Sequence, residues 1–284
     1  MRSGATMFFT EYSMTPAALG RALEERGFES VWAPEHSHIP LSRKTPYPSG
    51  GPLPEKYYDT MDPFVSLTAA AAATKTLKVA TGICLVAQRD AIQTAKLVSS
   101  IDQVSGGRFL FGVAIGWNQD EMENHGTVYA TRAKLVRERI EAMKEIWTKE
   151  HAEYHGTFVN FGPMIARPQP VQKPHPPVIV GGAFPQGARR ALRYGDGWMP
   201  VAGGMKDQEL IRQAEEFQRM VKESGRDPAS VSLSLYAAPE NPDLLKRLRD
   251  RGLVRAIAAL ESDKEDKILP ILDRWAELIR RLGA

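Results

Sequence analysis

The sequence predicts a (β/α)8 barrel with insertions after the second strand and before the fifth. Three observations carry this. Short apolar segments alternate with helical segments along the whole chain, and eight of them read as strands. The unit is clearest in the middle, where Val79 to Ile83 leads into a loop ending at Asp90. A helix follows, closing at Ser105-Gly106-Gly107-Arg108, and a new apolar strand runs to Gly116-Trp117-Asn118. The length, 284 residues, suits one such domain spanning 1–284, since these barrels commonly need about 250 residues. Strands alternating with helices favour a closed parallel barrel over an open sheet. Barrels of this kind keep their chemistry in the loops after the strands.

The first strand is expected from Ala5 to Phe9. Thr15 then caps a helix with Pro16 at its first position, and Gly27 ends it. Ser30 to Pro34 is the second strand. The loop behind it, to about Thr60, holds five prolines, three tyrosines and Gly50-Gly51. Ordered loops of that length are usually functional. Asp62-Pro63 opens an alanine-rich helix. Leu77 to Ile83 is the third strand, Ala91 to Val104 its helix, and Phe109 to Ala114 the fourth strand. Val136, Ile140, Met143 and Trp147 fall on one face of a helix between Thr131 and Lys149. Residues 151–176 read as an inserted hairpin or extended lid. Pro177 to Gly182 is the fifth strand with its loop, and a helix runs from Pro185 to Tyr194. Gly197 to Pro200 is the sixth strand. Leu210, Ile211, Ala214, Phe217 and Val221 form the next buried helical face. Val231 to Tyr236 and Leu253 to Ala258 are the last strands, and Ile268, Leu272, Trp275 and Ile279 mark the closing helix.

Composition narrows the function classes. Hydrophobic residues make up 43% and charged residues 25%, as in ordinary globular proteins. The net charge of +3 is spread along helices rather than clustered with aromatics, so no nucleic-acid surface is indicated. No apolar run reaches the roughly 18 residues of a membrane span, and the N-terminus shows no signal-peptide pattern. Cys84 is the single cysteine, so no disulfide forms within the chain, which favours the cytoplasm.

Glu35-His36-Ser37-His38 follows the second strand, on the expected active face. His36 suits a proton donor, because imidazole titrates near neutrality, and Glu35 suits an orienting group or a ligand contact. His36 and His38 also admit a metal-dependent hydrolase. The other histidines, at 125, 151, 155 and 175, fall in helix or insertion segments, so the metal expectation stays at none. Gly82-Ile83 and Gly181-Gly182 end β-branched strands, and such glycines let backbone approach a flat ring or a phosphate. The loop through Ala183 enters a helix, whose N-terminus attracts anions, and Arg189 and Arg190 lie one turn on. Neither glycine pair makes a dinucleotide fingerprint. Trp117 is a pocket wall or core residue. Asn118 and Glu121 are polar contacts or helix caps. Cys84 lacks triad partners and reads as a small apolar residue.

Ser30-Val31-Trp32-Ala33-Pro34-Glu35-His36, Thr81-Gly82-Ile83, Ser105 to Phe109, Gly116-Trp117-Asn118, Val178 to Gly182 and Gly195-Asp196-Gly197-Trp198 together resemble the luciferase-like monooxygenase family. The resemblance covers nearly the whole chain and is greatest to the branch using the deazaflavin coenzyme F420. It implies a TIM barrel with flavin or deazaflavin in its mouth, and a non-proline cis peptide at the bond matching Gly82–Ile83. It implies cofactor contacts at Gly82, Ile83, Cys84, Gly181, Gly182 and Ala183, with an anionic tail near Arg189 or Arg193. Glu35 and His36 match the family's acidic residue and histidine. The sugar-phosphate dehydrogenases of the family carry a glutamate where Trp117 stands, so an apolar or aromatic substrate near Trp117 and Asn118 fits better. Family habit suggests a homodimer.

The resulting expectation is an F420-dependent oxidoreductase moving hydride between deazaflavin and a small organic substrate, with His36 and Glu35 catalytic. An FMN-dependent monooxygenase is the nearest alternative. A metal-dependent hydrolase and a cofactor-binding protein without turnover are the others.

Overall fold

A computed structural model describes residues 1–282. Eight parallel strands close a barrel: β1 (Arg2–Thr6), β2 (Ser30–Ala33), β3 (Lys78–Thr81), β4 (Phe109–Val113), β7 (Val178–Gly181), β8 (Gly197–Met199), β9 (Ser232–Tyr236) and β10 (Leu253–Ala259). β10 pairs with β1, setting Arg255 opposite Arg2 and Ala259 opposite Thr6. The helices are α1 (Pro16–Glu25), α2 (Pro63–Ala72), α3 (Ala91–Val104), α4 (Gln119–Asn124), α5 (Arg132–Thr148), α6 (Gln186–Tyr194), α7 (Asp207–Glu223), α8 (Pro242–Arg249) and α9 (Glu265–Arg281). This is the (β/α)8 fold the sequence predicts.

Most boundaries follow local chemistry. Thr15 accepts from the Ala18 N–H with Pro16 at the first helical position of α1. Asp62 accepts from the N–H groups of Phe64 and Val65 at the start of α2, and such a cap contributes about 1 kcal/mol. Gly27, past the end of α1, has φ +75°, a conformation that glycine adopts without steric cost.

Two expectations change, at the first strand and at two short helices, and the insertion takes the hairpin form of its two expected ones. The first strand is β1 at Arg2–Thr6, not Ala5–Phe9. Arg2 stays exposed while Ser3 is buried, and Gly4 passes so close to β2 that a Cβ there would lie 2.6 Å from Ser30 Oγ. The insertion at 151–176 is a two-stranded antiparallel hairpin, β5 (Ala152–His155) and β6 (Asn160–Met164). It lies against α5, where the buried Glu138 accepts from the N–H groups of Phe158 and Val159. The short helices α4 and α8 were not predicted as elements; α8 spans only eight residues, close to the length of an ordinary loop.

The core is in two parts. One lies between strands and helices and includes Leu67, Val98, Phe111, Trp147 and Phe217. The other fills the barrel: Trp32, Ala80, Leu110, Ile179, Met199 and Ile257, with Ile83 and Tyr236 packed on it. Gly112 marks where β3 and β4 crowd together. Its carbonyl accepts from Thr81 Oγ1 and from the Cys84 N–H, both at 2.7 Å, and a Cβ would sit 1.9 Å from the Thr81 carbonyl oxygen. Gly112→Ala is therefore expected to destabilise the barrel by about 3 kcal/mol or more, as overpacking against backbone does. Thermal unfolding followed by circular dichroism checks this, and a midpoint within about 2 °C of wild type would refute it.

Candidate active site

The loops after the strands form a mouth at one end of the barrel. Its floor is Ile83 and Tyr236, resting on the inner core. A Cβ on Gly181 would lie 3.3 Å from Ile83 Cγ2, and one on Gly82 would lie 3.4 Å from the Tyr236 ring. The floor thus stays flat where these two glycines stand. The Gly82–Ile83 peptide is cis. Tyr236 Oη hydrogen-bonds Thr6 Oγ1 at 2.9 Å, and burial pushes its phenol up to about 12.

One wall carries His36. Its ring lies 5.2 Å from the Tyr57 ring and 5.9 Å from Trp117, centre to centre. Tyr57 also meets Phe8 and Tyr47, and the Tyr47 and Tyr57 hydroxyls are 3.2 Å apart. Burial, with Tyr47 beside it, raises the Tyr57 phenol well above its ordinary range. The long loop between β2 and α2 supplies these tyrosines and is tied down at both ends of its span. Ser42 Oγ and the Lys44 N–H donate to Asp120, and Gln119 N–H donates to Thr45 Oγ1. At the far side Met61 N–H donates to the Phe9 carbonyl, and Lys56 pairs with Glu261 at 2.6 Å. The sequence marked this loop as functional, but it gave no sign that Tyr57 and Tyr236 would meet at the mouth.

Glu35 has a different place from the expected one. Its Oε2 accepts from the Leu85 N–H at 2.6 Å and its Oε1 from Arg89 Nε at 2.5 Å. Arg89 also reaches Asp62 at 2.6 Å. Burial opposes the charge on Arg89, but Glu35 overrides it and raises the pKa. The expectation that Glu35 orients His36 is thus corrected. A carboxylate committed to a backbone amide and a guanidinium is a clamp between the loops after β2 and β3. The carboxylate on His36 belongs to Glu121: Oε2 is 2.8 Å from Nδ1.

Cys84 is corrected too. It is wholly buried in the core, its N–H is given to Gly112 and its carbonyl accepts from Ala114. Burial, then Glu35, pushes the thiol up. Asn118 is buried as the cap of α4, its side chain accepting from the Glu121 N–H, while its Nδ2 has no partner among the described residues.

The opposite wall is the loop Gly181-Gly182-Ala183 before α6. Gly182, at φ +136°, accepts from Trp198 Nε1 at 2.9 Å, and the Ala183 carbonyl accepts from the Gly187 N–H. Arg190 is the basic residue that lies here. Its Nη1 is 3.8 Å from where a Cβ on Gly182 would sit, and it is half-buried without a carboxylate partner among the described residues. Arg189 and Arg193 are exposed.

His36 and His38 do not converge on one point. His38 bonds Ser37 Oγ and Asn124, and His125 bonds the same serine hydroxyl at 2.7 Å. Burial and the neighbouring His38 lower the His125 pKa. Among the described residues no group of three or more His, Cys, Asp or Glu is arranged to hold a metal ion. Likewise no helix there is long and apolar enough to cross a membrane.

The chain is thus a closed (β/α)8 barrel whose mouth combines a glycine–arginine corner with a histidine wall. Residues 15–248 match the family model for luciferase-like monooxygenase, and the chain belongs to that family. It is 36% identical over 280 residues to an uncharacterized protein of Mycobacterium tuberculosis, covering 97% of this chain and 98% of that one. In fold it is similar to the monooxygenase RslO1 from Streptomyces bottropensis (TM-score 0.77, 20% identity, all of both chains). It is also similar in fold to an F420-dependent secondary alcohol dehydrogenase in complex with an F420-acetone adduct. There the TM-score is 0.75 and the identity 16%, covering 99% of this chain and 98% of the other.

Proposed function

We propose that this protein is an F420-dependent oxidoreductase that moves hydride between deazaflavin and a small uncharged organic substrate. The observation that carries the reading is the division of the mouth: a basic corner at Gly182 and Arg190 faces an aromatic wall on which His36, held at Nδ1 by Glu121, offers Nε2. The residues fit a planar, anionic cofactor. Side chains are missing at Gly82, Gly181 and Gly182, where a ring system or phosphate needs close approach. Ile83 would back the ring, while Arg190 and the start of α6 would hold the phosphate. When bound, the deazaflavin supplies the hydride chemistry, and the protein supplies position and electrostatics.

The chain's own residues supply the rest. His36 holds or delivers a proton at Nε2, because Nδ1 is occupied by Glu121. Trp117, Tyr47 and Tyr57 exclude water from the substrate side. Most cations near that side are paired among the described residues: Arg89 with Glu35 and Asp62, Lys44 with Glu123, and Lys56 with Glu261, while the exposed Arg43 bonds the neutral Tyr58 hydroxyl. An uncharged carbonyl, alcohol or alkene needs no counter-charge and suits this aromatic wall.

Separate titrations with F420 and FMN, followed by fluorescence and absorbance, test the reading. Tight binding of F420 is expected, and binding of FMN alone would turn the reading to the monooxygenase alternative, which the family's description and the likeness to RslO1 favour. Arg190→Met is expected to weaken cofactor binding about 10- to 100-fold, the loss of one charge-assisted contact. Unchanged affinity in that variant would move the phosphate away from this corner.

A further inference from the structure

We infer that Glu121 is a positioning residue that decides which nitrogen of His36 faces the substrate. The inference rests on His36 as the proton-transferring group of the proposed reaction.

Asn118-Gln119-Asp120-Glu121 has the spacing of a capping box, in which the last side chain turns back to the N–H of the first. Half of that box forms, since Asn118 caps the Glu121 N–H. The other half does not. The Glu121 carboxylate leaves its own helix and crosses to the loop after β2. Oε2 meets His36 Nδ1 at 2.8 Å, and Oε1 accepts from the Ser37 N–H at 3.2 Å. Its side chain is 0% exposed and that of His36 is 6% exposed. A buried carboxylate needs donors for both oxygens, and here both come from two consecutive residues of the catalytic loop.

The consequence is chemical. Ionised Glu121 only accepts hydrogen bonds, so Nδ1 carries hydrogen whether the ring is neutral or charged. Nε2 is then the nitrogen that gains or loses the proton, and it has no protein partner among the described residues. Its surroundings, Tyr57 and Trp117, fix the ring plane by packing. The Ser37 contact adds a second constraint, pinning the backbone beside the imidazole so that the ring cannot withdraw with its loop.

The test reads the tautomer directly. In protein carrying ¹⁵N-histidine and no cofactor, long-range ¹⁵N–¹H spectra distinguish the protonated ring nitrogen from the bare one, and His36→Gln assigns the signal. Wild type is expected to show Nδ1–H with bare Nε2 once the ring is neutral. Glu121→Met, which removes both acceptors at similar volume, is expected to shift His36 to Nε2–H. It is also expected to lower kcat about 100-fold in the loaded enzyme while cofactor affinity stays within about twofold. Glu121→Gln cannot accept at both of its terminal atoms, so it is expected to give a mixture of tautomers and an intermediate kcat. Wild type in the Nε2–H form overturns the inference, as does a folded Glu121→Met protein with the wild-type tautomer. If Glu121→Met does not fold, the wild-type spectrum and the Gln variant decide. The spectra need no cofactor, so failure of F420 to bind would overturn the proposed function and leave this inference standing.

Discussion

His36→Ala in the deazaflavin-loaded protein is expected to lower kcat by about 100- to 1,000-fold and to leave cofactor affinity unchanged within about twofold. The size is that of a positioned acid or base. The split follows from geometry: the imidazole stands on the wall with Tyr57 and Trp117, whereas the glycine–arginine corner lies across the mouth at Gly182 and Arg190. Removing the ring also strands Glu121, which keeps only the Ser37 N–H as partner. His36→Gln is the gentler control, because its amide can still donate to that carboxylate. Single-turnover absorbance of the loaded enzyme, against a panel of uncharged alcohols, ketones and activated alkenes, measures kcat apart from binding. Full turnover in both variants would remove His36 from the chemistry.

The second large effect is expected at the opposite end of the barrel. Glu29 accepts from Arg255 and Lys78 and pairs with Arg2. Arg255 is 3% exposed inside the strands and also bonds Ser234. Burial would raise the Glu29 carboxyl, but the Arg255 guanidinium, with Lys78, holds it down to about 2. Glu29→Gln leaves a buried guanidinium without its counter-charge, a change that costs about 3–5 kcal/mol. The expected fall in Tm is about 10 °C. The pH dependence has a definite sign. The folded value lies below the ordinary 4.5, so this stabilisation is complete above pH 4.5 and is lost as the pH falls from there towards 2. Urea midpoints across that window should fall in wild type, and the part of the fall due to this group should be missing in Glu29→Gln. Equal midpoints for the two proteins at pH 7 would show that the network contributes nothing.

The fold was legible because its signals are local. Caps at Thr15 and Asp62, the glycine at 27 and the apolar runs of the strands each act over a few residues. β1 was displaced because its burial comes from contact with β2, where Gly4 meets Ser30, and no local pattern records that contact. The candidate site divides in the same way. His36, Gly181 and Gly182 stand at strand ends and could be read as such. Glu35 was recognisable as a polar residue at the mouth, but its bond to Leu85 and Arg89 joins residues about fifty positions apart. Glu121 reads in the sequence as a polar contact or helix cap, and only the fold brings Ser37 and His36 to it. Nor could spacing show that Arg190, rather than its neighbours, turns towards Gly182.

The Glu29–Arg255 network has a consequence for redesign. Arg255 stands four residues before the end of β10, about 13 Å along the strand, with the inner core between it and the mouth. Substitutions among the loops of the mouth therefore leave the direct contacts of the buried pair at the other end untouched. The barrel can be treated as a chassis in which new specificities are installed at one rim, with the anchoring ions at the other left alone.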